Sequence, residues 1–105
     1  MIEVNLRYDL LLDIDFQAYL NWAQSAINLI LQQPGMVEIR VNRNILGSPL
    51  IRSTFVWQSL SHWAKFVEGG EWPQMEAELR KYSANLKYEL WGPSPVMPEP
   101  FRPNK

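Results

Sequence analysis

The chain has no cysteine and a single histidine, His62. The first absence removes disulfides, thiolate metal sites and cysteine nucleophiles. Together the two leave a transition metal almost no ligands, so no metal site is expected. A thiol-free chain also fits a reducing cytoplasm. No apolar run approaches the ~20 residues of a membrane helix. The start, Met1-Ile2-Glu3-Val4, has neither a basic region nor a cleavage site, so no signal peptide is expected. Charge of one sign is missing as well: the formal net charge is -1, and nothing draws the chain towards nucleic acid. Gly47 and the pair Gly69-Gly70 lack phosphate-loop spacing, so no nucleotide cofactor is expected.

What is present is a 105-residue chain, 47% hydrophobic, enough for one core and one domain. Its most informative stretch is Thr54 to Phe66, which begins as a strand, turns at Gln58-Ser59 and continues as a helix. Trp57, Trp63 and His62 fall together at that corner.

Residues 2 to 12 alternate, with Ile2, Val4, Leu6, Tyr8 and Leu10 facing one way, the period of a half-buried strand. Asp13 and Asp15 are candidate N-caps for a helix striped by Phe16, Leu20, Ala23, Ile27 and Ile30. Tyr19 and Ala26 widen the stripe, and Pro34-Gly35 ends it. Met36 to Arg43 alternates again, and the turn chemistry of residues 44–49 folds Leu50 to Trp57 back as a hairpin. Ser59 or Ser61 caps a helix that Gly69-Gly70 breaks; a second helical piece follows, then a last strand over Asn85 to Trp91. The order predicts an α+β, ferredoxin-like β-α-β-β-α-β domain over residues 1–91, a four-stranded antiparallel sheet with helices on one face.

Residues 92–105 hold five of the eight prolines and form a Pro-rich C-terminal arm. Val96, Met97 and Phe101 are its candidate anchors, which favours an arm docked on this subunit or a neighbour over a solvated tail. The uncovered face of the sheet carries Asn5, Arg7, Arg40, Arg52, Thr54, Lys87, Glu89 and Trp91 among others. Either these form exposed cross-strand pairs, or two such faces meet in a homodimer and enclose a polar chamber. Trp22, Leu29, Trp57 and Trp91 point to the second, as apolar surface in need of cover.

The β-α-β-β-α-β order, Asn5 in the first strand, and Val56-Trp57-Gln58-Ser59 followed by Trp63 and Phe66 resemble the antibiotic-biosynthesis-monooxygenase-like proteins of the dimeric α+β barrel superfamily. That resemblance implies a homodimer without a cofactor, and oxidation of a small aromatic or quinol-like molecule. It places Asn5 and Trp57 at the catalytic positions. Haem-degrading members use a histidine late in the second helical region, where this chain has none, so haem chemistry is not expected.

His62, the chain's one histidine, is the obvious acid/base candidate, and a lone histidine without a placed partner is more often a surface or helix-cap residue. Asn5 either donates to a developing oxyanion or satisfies a neighbour; Trp57 is either a substrate wall or core. Arg40, Arg43 and Arg52 either fork onto a carboxylate or phosphate or neutralise Glu38 and Glu89. Arg40, Arg52, Thr54 and Trp91 are thus the candidate ligand-binding residues of the chamber. The alternative to an enzyme is a non-catalytic dimer that binds a small organic ligand or a partner.

Overall fold

The computed structural model describes residues 1–104. The elements are β1 (Ile2–Leu10), α1 (Phe16–Leu31), β2 (Met36–Arg43), β3 (Ile51–Trp57), α2 (Leu60–Glu68), α3 (Glu71–Tyr82) and β4 (Ser83–Trp91). The sheet runs β2-β3-β1-β4, antiparallel throughout, which is the ferredoxin-like order. The second helical region is two helices, because Gly70 takes a left-handed φ of 57° between them. Among the described residues no helix is long and apolar enough to cross a membrane.

The alternating stripes do what their period demands. Val4, Leu6 and Tyr8 on β1 and Phe55 and Trp57 on β3 are buried under Tyr19 and Ile30 of α1 and Trp72 and Leu79 of α3. Two caps are those the sequence suggests: Asp15 accepts from the Ala18 amide at 3.1 Å, and Ser59 accepts from the His62 amide at 3.3 Å.

The structure departs from the sequence reading in two places. β4 begins at Ser83, two residues early, because the left-handed Asn85 (φ 59°) is absorbed where the β1–β4 register shifts between Arg7 and Asp9. Trp57 and Trp22 need no second molecule to cover them. Trp57 is 1% exposed, and Trp22 stacks on Tyr19 and donates to the Met75 carbonyl at 3.1 Å. On this chain the arm's anchors stay in solvent: Val96, Met97 and Phe101 are all largely exposed.

Asp9, near the end of β1, ties the β2–β3 hairpin to the start of β4. Its carboxylate accepts from Ser48 Oγ (2.7 Å) and the Leu50 amide (2.8 Å) on the β2–β3 hairpin, and from Asn85 Nδ2 (3.2 Å) on β4. The Ser48 hydroxyl and the Asn85 amide hold its pKa below the ordinary 3.8. A carboxyl depressed in the folded state stabilises above its unfolded pKa, and that stabilisation is lost as pH falls through the folded value. The expected result for Asp9→Asn is a lower melting temperature at about pH 6, with the gap to the parent closing below about pH 4. A gap that stayed constant across that range in thermal melts would count against this role.

Candidate functional site: a cavity beneath the first helix

The turn-by-turn spacing of α1 puts Tyr19, Ala23, Ala26 and Ile30 over β1 and β3. Small residues at 23 and 26 keep the helix from filling the space beneath it. The result is a cavity of about 240 Å³, walled by Leu6, Phe55, Trp22, Trp72 and Leu79, with Leu20 and the half-exposed Val41 at its rim. That volume is below the ~300 Å³ of the smallest drug-sized pockets, so it suits a molecule of one or two rings.

One end of this apolar space is polar. Tyr8 of β1 and Tyr19 of α1 share a buried hydroxyl–hydroxyl hydrogen bond of 2.7 Å, and Ser53 of β3 lines the cavity beside them. Burial first, and then the Tyr19 hydroxyl, push the Tyr8 phenol far above its ordinary 10.0, while the Ser53 hydroxyl acts in the opposite direction. Burial likewise raises Tyr19. Both phenols therefore stay protonated, and with one O–H spent on their mutual bond the pair offers a single donor to a ligand oxygen rather than a base.

Next to it lies a second gap of only about 10 Å³, bounded by Trp57, Trp63, Phe66 and Tyr88 and sharing Leu6, Ile30, Phe55 and Trp72 with the larger cavity. It has room for about one water molecule. The Trp57 indole N–H is buried and has no hydrogen-bond partner among the described residues. An orphaned donor costs ~1–3 kcal/mol, so its retention calls for a reason.

The residues singled out from the sequence divide between the two sides of the sheet. Trp57 pairs with Ile2 and faces the helices. Asn5 pairs with Thr54 on the open face and accepts from its hydroxyl at 2.5 Å. The structure thus brings Asn5, Thr54, Arg40, Arg52 and Trp91 onto one face and leaves Trp57 on the other. Arg40 is engaged by Glu3 at 2.5 Å and by Glu38. His62 lines neither cavity. Its Nδ1 lies 2.7 Å from Ser59 Oγ, and its ring packs on Gly35, where a Cβ would come within 2.2 Å of the His62 Cγ.

Sequence reasoning missed the Tyr8–Tyr19 pair, having read both as apolar positions. A signal was there: a tyrosine on a buried stripe carries a hydroxyl that must be satisfied.

No protein-family profile matches the chain, and no curated protein matches it in sequence. Solved structures do match in shape. SnoaB, a cofactor-independent oxygenase from Streptomyces nogalater, superposes with a TM-score of 0.75 over 93% of this chain and 97% of its own, at 14% identity. A proposed antibiotic biosynthesis monooxygenase from Deinococcus radiodurans gives 0.77 over 100% of both chains at 13% identity. The fold is that of the antibiotic-biosynthesis-monooxygenase-like proteins. A third of these monooxygenase-like structures, from Nitrosomonas europaea, matches at 0.71 over 88% of this chain and 97% of its own, with 12% identity.

Proposed function

We propose that this protein binds a small aromatic, quinol-like molecule beneath α1 and oxidises it with dioxygen without a cofactor. The observation that carries the reading is the apolar cavity with a protonated Tyr8–Tyr19 pair at one end, adjoining the gap beside the unpartnered Trp57 N–H. A quinol oxygen accepts from the tyrosine pair, and the ring lies against Phe55 and Trp72. Dioxygen is larger than the single water that the gap of about 10 Å³ holds, so it lodges where the gap meets the cavity, against their shared wall of Phe55 and Trp72. As electrons pass from quinol to oxygen, negative charge develops there, and a fixed N–H donor stabilises it in a water-poor site. One oxygen atom enters a ring carbon and the other leaves as water. The quinol's own electrons and hydrogens complete the balance, giving a hydroxyquinone. The reading carries with it a homodimer formed through the open sheet face, residues 92–105 as an arm outside the catalytic domain, and a cytoplasmic setting. Asn5, Arg40, Arg52, Thr54 and Trp91 then line the chamber between subunits, and His62 serves the α2 cap.

The second reading, a binding protein without catalysis, is favoured by the absence of any histidine or carboxylate from the cavity lining. One experiment separates the two. Quinols and polyphenols are incubated with protein under oxygen, with uptake followed at an electrode and binding followed by quenching of the cavity tryptophans. Uptake stoichiometric with substrate supports the enzyme; quenching without uptake supports the binder. Ala23→Phe fills the cavity from α1, and binding is expected to weaken at least ~10-fold, a loss of about 1.4 kcal/mol. Unchanged quenching in that variant would remove the cavity from both readings.

A further inference from the structure

The strand register sets three cations in a row across the open face. Arg52 of β3 stands directly opposite Arg7 of β1, and Arg7 directly opposite Lys87 of β4, with Asn42 of β2 completing the row. Like charges facing each other across strands oppose folding. The carboxylates of the same face balance them only in part, Glu89 alone answering to Arg7 and, at longer range, to Arg52. Glu89 takes Arg7 at 3.0 Å, while Glu3 and Glu38 are both held by Arg40 towards the other end of the strands. Among the described residues Arg43, Arg52 and Lys87 form no ion pair. A chain with a net charge of -1 therefore concentrates positive charge at one end of one face.

That end is also concave. Arg7, Arg43 and Arg52 line a depression of about 330 Å³ that the β2–β3 hairpin closes with Ile45, Leu46 and Pro49, and among the described residues no carboxylate lines it. Ile45 and Leu46 are 86% and 98% exposed, large apolar side chains held out beside the guanidinium groups. A guanidinium presents a planar fork of donors that matches a carboxylate or phosphate, and an apolar rim suits the hydrocarbon part of the same molecule.

We infer that this depression binds a small amphipathic anion, its carboxylate or phosphate held by Arg52 with Arg7 and Arg43 and its apolar part against Ile45 and Leu46. Arg7 and Arg52 lie on the side of the sheet away from the helices, so the site is separate from the cavity beneath α1 and does not depend on the quinol reading; in the homodimer proposed above it opens into the chamber between subunits, with Arg52 as a lining residue and not a contact. A bound anion removes the cross-strand repulsion, and binding weakens as salt screens it.

The test uses the full chain, with octanoate and inorganic phosphate as probes and sodium chloride at matched ionic strength as the control, read by calorimetry and thermal melts. One octanoate per chain is expected, bound at least 10-fold more tightly than acetate. Both octanoate and phosphate raise the melting temperature above the chloride control. Arg52→Gln weakens octanoate at least 10-fold, whereas Arg80→Gln, which removes a surface cation on α3, leaves it unchanged. Without anion, Arg52→Gln melts no lower than the parent, so a folding defect does not imitate the loss. Ala23→Phe must also leave octanoate binding intact. If octanoate instead follows Ala23→Phe and ignores Arg52→Gln, it sits in the cavity and the inference fails. Equal stabilisation by chloride reduces the effect to screening and overturns it. So does an Arg52→Gln chain that changes from dimer to monomer in sedimentation, because the row then belongs to the contact between two copies.

Discussion

Trp57→Phe is expected to cut oxygen uptake with an active quinol by ~10²–10³-fold, the loss seen when one oxyanion donor is removed from a preorganised site. Stability should barely move. The smaller ring forfeits packing against Phe66, whose centroid lies 5.5 Å away, but the variant also sheds a buried N–H that has no partner. Relief of an unsatisfied donor is worth ~1–3 kcal/mol, about what a partial loss of buried ring area costs. Activity and stability therefore part company at this residue. Parent-like uptake in a Trp57→Phe protein that melts normally would leave the indole as core packing alone. A variant that lost both together would show that packing, not the donor, matters there.

Leu79→Ala should be strongly destabilising. Leu79 is 0% exposed and lies between α3 and the sheet. Cutting a buried leucine to alanine costs ~2–5 kcal/mol, more when the site cannot collapse. Collapse is hindered here because Leu79 already borders the 240 Å³ cavity, so the upper part of that range applies. For a domain near 100 residues this is a fall in melting temperature of at least about 10 °C. Leu90 makes the internal comparison: it pairs with Val4 but is 46% exposed, and Leu90→Ala should cost under ~1 kcal/mol. Similar denaturant midpoints for the two variants would mean that the space beneath α1 closes when Leu79 is shortened.

Most of the fold is legible in the residue pattern because the pattern is local. Val4, Leu6 and Tyr8 announce a half-buried strand by alternation, Asp15 and Ser59 mark helix starts by their side-chain oxygens, and Gly69-Gly70 marks a break. The site was less legible, and for a physical reason. A cavity is what remains after side chains from several elements have packed, and no one segment encodes it. Ala23 and Ala26 read as ordinary helix positions until Leu6, Phe55 and Leu79 are placed beneath them. Parity along the strands did contain one relevant fact. Asn5 alternates with Val4 and Leu6, and Trp57 shares its side with Phe55, which pairs with Val4, so Asn5 and Trp57 cannot meet across the sheet. The resemblance grouped them; the two-residue period separates them. Where the cations stand was readable as composition, but that Arg7 faces Arg52 depends on the β1–β3 register, which only the folded chain sets.

The contact of Gly35 with the His62 ring makes the corner after β3 a mechanical joint. Gly35 sits at a φ of 85° and accepts from the Gln58 amide at 2.7 Å, one residue past Trp57. Any side chain at position 35 would push on the imidazole and, through α2, on Trp63 and Phe66, which wall the small gap. Variation that reads as a harmless loop change at the end of α1 would thus be transmitted to the indole, and the alignment of Trp57 with whatever occupies that gap is hinged on a residue with no side chain.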